Sequence, residues 1–222
     1  MIKLVIVGTG GFAREVHQLV EDINAQMPAF DFVGFLDEDV SRHGTEVHGF
    51  PVLGGIAWLG QSANSTVKAA VAIGNPASKR RVIEAIARVT ASPLATLIHP
   101  RAWVGNRVSI GAGSIVCAGA LITTDIQVGR AVIVNIGTTI GHDAVLEDFV
   151  TVAPTVNISG AVLVGEGVDL GTGATIIQGK HIGAWSVVGA GAVVVRDIEA
   201  NVTAVGAPAK AIKYRHANWH LE

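Results

Sequence analysis

Val128-Gly129-Arg130-Ala131-Val132-Ile133-Val134-Asn135-Ile136-Gly137-Thr138-Thr139-Ile140-Gly141-His142-Asp143 sets Val128, Val134 and Ile140 at intervals of six. The same step runs outward in both directions. From Ile98 to Val194 every sixth residue, seventeen in all, is Ile, Val or Leu. The next position is often glycine (Gly105, Gly111, Gly129, Gly141, Gly165, Gly183), and the residue four after the anchor is usually small or β-branched (Ser114, Ala120, Thr138, Ala174, Ser186, Ala192). A period of six fits neither a helix nor a long strand. It fits a short strand and a tight corner repeated without interruption, which is a solenoid. Three hexads close one 18-residue triangular coil, with the aliphatic anchors expected inside and Gly or Asn expected at corners that need φ > 0.

The 222 residues carry 16 basic and 18 acidic side chains, a formal charge of −2 that leaves no polyelectrolyte patch for a nucleic-acid backbone. Uncharged stretches such as Val108 to Thr124 are too short and too rich in Gly and Ser to cross a bilayer, so no membrane span is expected. The chain opens on an apolar strand without a charged leader, from which a cytoplasmic location is expected. Its single cysteine, Cys117, has no disulfide or zinc partner in sequence and reads as a small buried hydrophobe.

Ahead of the repeat the pattern changes. Met1 to Val7 reads as a strand, and Gly8-Thr9-Gly10-Gly11-Phe12-Ala13 leads into an amphipathic helix through Val16, Leu19 and Ile23. Further strands end at Asp37-Glu38-Asp39 and at Gly74-Asn75-Pro76, with Pro76 placed to open a helix to Val89. This alternation predicts a Rossmann-like α/β unit with a parallel sheet over residues 1–92. Ligands of such sheets lie beyond the carboxyl ends of the strands, where all three turns fall. Gly10 and Gly11 can admit a phosphate at the helix N-terminus, and Asp37 or Glu38 can accept from ribose or base donors. The Gly8-x-Gly10-x-x-Ala13 pattern matches a dinucleotide fingerprint, but about 90 residues hold one mononucleotide-binding half rather than two. A nucleotide sugar therefore fits better than NAD. Pro93 marks the passage into the prism, residues 93–200, and residues 201–222 read as a C-terminal tail.

Polar side chains are scarce in the repeat, and His142-Asp143 stands out behind the glycine corner Gly141. A carboxylate beside an imidazole stabilises its protonated form and fixes its tautomer, which suits a general base. His99, His142 and His181 raise the question of zinc. His142 and His181 lie a little over two coils apart, roughly 10 Å at strand spacing, too far to share an ion within one chain. His17, His43 and His48 read as solvated or capping residues and His216 and His220 as part of a polar tail. Trp103 and Trp185 read as packing at coil faces or a subunit contact.

The uninterrupted hexads resemble those of the left-handed parallel β-helix acyltransferases. The whole chain, from the Gly-x-Gly-Gly turn through Ala72-Ile73-Gly74-Asn75 to Val205-Gly206-Ala207-Pro208-Ala209-Lys210, resembles the nucleotide-amino-sugar N-acetyltransferases of the bacillosamine type and the related sialic acid O-acetyltransferases. The resemblance implies a homotrimer with active sites between subunits and acetyl-CoA as co-substrate, and it requires no metal. It makes His142 the catalytic base and Asp143 the residue that supports it. It carries nucleotide-sugar contacts onto Gly10, Gly11, Phe12, Asp37, Glu38 and Gly74, and acetyl-CoA contacts onto Thr172 and Ala190. Where family members have a second histidine that helps hold acetyl-CoA, this chain has Thr151. The implied reaction is acetyl transfer to the amino group of a UDP- or dTDP-linked amino-deoxy sugar. An O-acetyltransferase of the sialic acid type would use the same base, and a non-catalytic nucleotide-sensing or scaffold protein is favoured only if acetyl-CoA fails to bind. Lys210, Lys213 and Arg215 form a charge run that could meet CoA phosphates.

Overall fold

The computed structural model describes residues 1–91 and 94–221, so Pro93 and the expected boundary at 92/93 lie outside the described residues. Two compact units emerge: Met1–Gly74 with Ser78–Pro100, and the chain from Arg101 on with Asn75–Ala77.

The first unit is built on β1 (Ile2–Val7), α1 (Gly11–Gln26), β2 (Phe30–Leu36), a small antiparallel hairpin of β3 (Glu46–Val47) and β4 (Phe50–Pro51), β5 (Lys68–Val71) and α2 (Pro76–Val89). The sheet order is β2-β1-β5, all parallel. The run Leu4-Val5-Ile6-Val7 is buried on both sides, as expected of a central strand covered on both faces. α1 buries Ala13, Val16, Leu19 and Val20, the stripe its periodicity predicts. α2 starts at Pro76, whose missing N–H costs nothing in a first helical turn.

One expectation fails here. His17, read as solvated or capping, is only 2% exposed and sits among Phe32, Phe35 and Phe50, with its Nδ1 3.3 Å from Nδ1 of His48. Its α-helical register puts it on the buried stripe one residue after Val16, and the aromatic rings supply the packing partner.

β6 (Leu97–Ile98) closes the first unit. Leu97 is fully buried while Ile98 is 39% exposed, so the first anchor of the repeat does not face a lumen. The buried side of this strand packs toward α1 of its own unit. The repeat proper consists of sixteen two-residue strands, β7 (Trp103–Val104) to β22 (Val193–Val194), each ending on an anchor residue. Partners are 18 residues apart and parallel, as in Ile115↔Ile133↔Thr151. The strands stack into three faces. Face I holds β9, β12, β15, β18 and β21, face II holds β7, β10, β13, β16, β19 and β22, and face III holds β8, β11, β14, β17 and β20. Anchors from Val116 onward form one continuous buried column, with Ala102, Val104, Val108 and Ile110 half-covered at its start. The buried hydroxyls among them are satisfied by neighbouring coils: Ser114 donates to Gly129 O (2.9 Å) and accepts from Val132 N (3.0 Å).

The corners also differ from expectation. Positive φ recurs at every sixth residue from Arg107 to Gly191, three positions after the anchor, and several of these residues are not glycine, including Arg107, Asp125, Ala131, Asp143, Phe149 and Trp185. The glycines directly after the anchors serve another need. A Cβ at Gly129, Gly141 or Gly165 would meet backbone of the next coil at 2.6–2.7 Å, so close stacking rather than dihedral freedom excludes side chains there.

Residues 201–222, read as a tail, carry β23 (Val202–Val205), parallel to β21, and β24 (Lys210–Tyr214), antiparallel to β23. Trp185 is buried and stacks on His220 (centroids 3.7 Å, interplanar angle 5°), so His220 is not a solvated tail residue. Cys117 is buried, as read from the sequence. No helix among the described residues is long and apolar enough to cross a membrane.

The His17 environment generates a prediction. Burial holds this imidazole below its ordinary range, with Glu21 opposing and His48 reinforcing the shift. As pH falls, the unfolded chain therefore takes up this proton before the folded one. The stability His17 contributes is present above about pH 6.5 and is lost as pH falls from there toward the folded value. Replacing His17 by Phe should make the thermal midpoint fall less between pH 7 and pH 5 than in the parent chain. A scanning calorimetry series across that range measures the difference.

Candidate functional site

Each hexad turns at the second and third residues after its anchor. After Ile140 these are His142 and Asp143, at the edge between faces II and III. Asp143 takes φ +59°, a conformation Asp tolerates better than most non-glycine residues. The turn throws both side chains outward: the His142 side chain is 57% exposed, and its Nδ1 lies 2.7 Å from Asp143 Oδ2. With a Nδ1–H donated to that carboxylate, Nε2 is left as the acceptor. The backbone is pinned from both sides, by Asp143 N to Thr124 O (3.2 Å) and by Ala161 N to His142 O (2.7 Å).

One coil below, the same two positions hold Thr124 and Asp125. Arg107, from the coil below that, donates from Nε to Asp125 Oδ1 (2.7 Å) and from Nη2 to Thr124 Oγ1 (3.0 Å). Hydrogen bonds from Arg107 and Thr124 hold the Asp125 carboxyl below the usual carboxylate range. The carboxylate stacked on Asp143 is thus already paired with a cation. Sequence reading passed over this ladder, although the 18-residue spacing of Arg107, Asp125 and Asp143 contains it.

Thr172 and Ala190 are exposed at the same turn position on a different edge, where face I meets face II. They follow β18 (Asp169–Leu170) and β21 (Val187–Val188) one coil apart, joined through Gly191 N to Thr172 O (2.8 Å). Face II separates them from His142 within one chain. Thr151 is buried on face I, in register between Ile133 and Asp169.

In the first unit a cleft of about 350 Å³ opens at the carboxyl ends of the sheet, lined by Val7, Gly8, Thr9, Gly10, Asp37, Glu38, Ala72, Ile73 and Val82. Gly10, Asp37 and Glu38 of the expected contacts line it. Gly11 and Phe12 form the adjoining first turn of α1, and Gly74 follows shortly after β5. Gly10 caps α1 without a side-chain hydrogen bond, and the first turn holds no acidic residue. The carboxylates are already oriented: Thr9 Oγ1 donates to Asp37 Oδ2 (2.5 Å), Asp39 N to Asp37 Oδ1 (3.0 Å) and Ile56 N to Glu38 Oε1 (2.6 Å). Thr9 was missed in sequence. Its place in the Gly-x-Gly turn was the available signal.

The other flagged residues fall elsewhere. His99 is buried with Nε2 2.8 Å from Asp22 Oδ2. His181 lines a hollow of about 430 Å³ on face III with Glu147, Asp197 and Glu199, and no expected site residue reaches it. Arg215 donates to Thr203 Oγ1 (2.8 Å) and lies 4.5 Å over the Trp219 ring, while Lys210 and Lys213 are exposed on β24. Among the described residues no group of three or more His, Cys, Asp or Glu could hold a metal ion.

Comparison with known proteins bears on both units. Residues 3–86 match the PglD N-terminal domain family. The GDP-perosamine N-acetyltransferase of Escherichia coli O157:H7 is 32% identical over 220 residues, covering 94% of this chain and 95% of that protein. Perosamine N-acetyltransferase from Caulobacter crescentus, crystallised with CoA and GDP-perosamine as a variant with one histidine replaced by asparagine, gives a TM-score of 0.86 at 33% identity, covering 95% of this chain and 96% of that one. The acetyltransferase domain of PglB from Neisseria gonorrhoeae FA1090, in complex with acetyl coenzyme A, gives 0.85 at 34% identity, covering 95% and 99%. Similarity of this extent runs through the α/β unit and every coil, and the chain belongs to the hexapeptide-repeat, left-handed β-helix acetyltransferases that carry a PglD-type N-terminal domain.

Proposed function

We propose that this protein transfers the acetyl group of acetyl-CoA to the amino group of a nucleotide-linked amino-deoxy sugar, with His142 as general base. The exposed His142–Asp143 pair at an edge of the prism carries this reading. The first unit holds the nucleotide. Two carboxylates repel a diphosphate, so Asp37 and Glu38 face the nucleoside, and the uncapped N-terminus of α1 at Gly10, Gly11 and Phe12 receives the phosphates.

The chemistry needs one proton acceptor and correct alignment. The sugar amine attacks the thioester carbonyl and forms the N–C bond as His142 Nε2 takes its proton. Asp143 holds Nδ1–H and stabilises the imidazolium. The tetrahedral oxyanion collapses, the C–S bond breaks, and CoA leaves as a thiolate that the imidazolium reprotonates. Thiolate is a good leaving group, so the protein's contribution is chiefly orientation and the base.

Thr172 and Ala190 hold acetyl-CoA on the edge between faces I and II. Because face II lies between that edge and His142 on one chain, the site is completed by a second copy, and the protein works as a homotrimer. Trp103 and Leu121, in register on neighbouring strands of face II and both exposed, are the apolar surface suited to that contact. Sedimentation equilibrium should return three times the 22.9 kDa chain mass; a monomer would sink the shared-site reading.

Size favours a mononucleotide over NAD without choosing its base. The cleft side chains offer carboxylate acceptors and no cation. Guanine presents adjacent N1–H and N2–H donors to a carboxylate, whereas the single N3–H of uracil or thymine is flanked by carbonyl oxygens. This favours a GDP-linked sugar over the UDP or dTDP expected from sequence, in line with the GDP-perosamine named for the relatives. In a thermal-shift panel of GDP, UDP, dTDP and NAD, GDP should raise the midpoint most. Equal shifts would assign the carboxylates to the ribose instead.

Replacing His142 by Ala should lower turnover by about 10²-fold or more while leaving the nucleotide-induced thermal shift intact. Turnover near the parent value would remove His142 from the mechanism.

A further inference from the structure

We infer that Gly160 is a positioning residue for the catalytic imidazole, and that its missing side chain is what seats the His142 ring. This rests on His142 being the general base.

Gly160 occupies the position of His142 one coil later, 18 residues on. A Cβ built there would lie 2.6 Å from both Cε1 and Nε2 of His142 and 3.1 Å from Cδ2. The imidazole therefore lies across the Gly160 Cα instead of swinging free, although its side chain is more than half exposed. Its Nδ1 is held by Asp143 at 2.7 Å, and Cε1, Nε2 and Cδ2 rest on the next coil. These two contacts together fix the ring's orientation and with it the position of Nε2, the atom that must take the proton.

Dihedral freedom is not what calls for glycine at residue 160. Its φ lies outside the left-handed region, so the backbone accepts an L-residue, and the three nearest atoms to the built Cβ all belong to the His142 ring. Gly141, by contrast, is closed by the backbone of Ser159 and Gly160, which no side-chain movement relieves. At residue 160 the obstacle is the mobile end of one side chain. A methyl group there can be accommodated only by rotating the imidazole, which turns Nε2 away and strains the contact with Asp143. Gly160→Ala is thus a substitution that the fold tolerates and the base does not.

The test is a double-mutant cycle on the full-length protein, with GDP-perosamine and acetyl-CoA as substrates. Displacing a base by about an ångström costs on the order of 10- to 100-fold in rate, so Gly160→Ala should lower kcat by about that factor. The KM for acetyl-CoA should stay within about twofold, because an interaction lost only in the transition state lowers kcat alone. The ¹⁵N resonances of the His142 ring should move, reporting the changed Nδ1 environment. In the His142→Ala background the same substitution should change neither rate nor thermal midpoint, and any destabilisation by Gly160→Ala alone should disappear there, since no ring remains to clash. Unchanged kcat in Gly160→Ala, a raised KM at constant kcat, or a loss of rate or stability that persists without the imidazole would each overturn the inference. If His142→Ala itself stays active, the general-base reading fails; if it is inactive while Gly160→Ala is fully active, only the positioning role fails.

Discussion

Parallel strands of the repeat stack at the hydrogen-bond spacing of about 4.8 Å, and each of these strands is only two residues long. Everything else follows from that pitch. A coil that rises so little has no room for a Cβ after Gly129, Gly141 or Gly165, and it must turn sharply at three places per 18 residues. The inward anchors pack against one another and against residues such as Ala120, Val132 and Val150 four places after them, so their burial runs continuously along the repeat. Polar groups enter the lumen only where they bond to backbone across coils, as Ser114 and Ser186 do.

The same pitch converts sequence distance into adjacency. Residues 18 apart become neighbours on one edge, which brings Arg107 to Asp125, sets Asp125 beside Asp143 and lays His142 over Gly160. A rigid edge suits a proton acceptor, because its aim depends on backbone held by ladder hydrogen bonds on both sides. In a flexible loop the same pair of side chains would lose rate through misalignment. Exposure of His142 agrees with the proposed chemistry: a base there would exchange its proton with substrate and leaving group, and the Asp143 contact supplies the orientation that burial would otherwise give.

The repeat was legible in sequence almost to the residue, because all anchors from Val104 to Val194 close a strand and the 18-residue register has no insertion. Ile98 failed because period alone does not say which side of a strand is covered, and β6 turns Leu97 toward α1. The corners were legible only in part for a related reason: glycine takes positive φ at corners such as Gly113, Gly137 and Gly167, as expected, whereas at others chain geometry is satisfied by Arg107, Ala131 or Trp185 at modest strain. Of the site, the His142–Asp143 contact was readable from adjacency, and the acidic cleft from the βαβ pattern. Tertiary packing was not. His17 among three phenylalanines and His220 on Trp185 depend on partners far away in sequence and of unremarkable type.

The proposed division of labour between the units would let so small a chain carry a two-substrate reaction. A three-stranded parallel sheet offers one mononucleotide-sized cleft and no second half for a dinucleotide. It can hold a nucleotide handle but brings no reactive group of its own. The prism brings the proposed base on one edge and candidate acetyl-CoA contacts on another, separated on each chain by the whole of face II. A solenoid cannot fold an edge inward to close that gap, since bending would break the coil-to-coil hydrogen bonds along its length. The remaining way to bring the two edges together is to set two prisms side by side, with their straight edges parallel. On the proposed reading association becomes part of the catalytic design, and Trp103 and Leu121, exposed on one chain, are the apolar surface it would use.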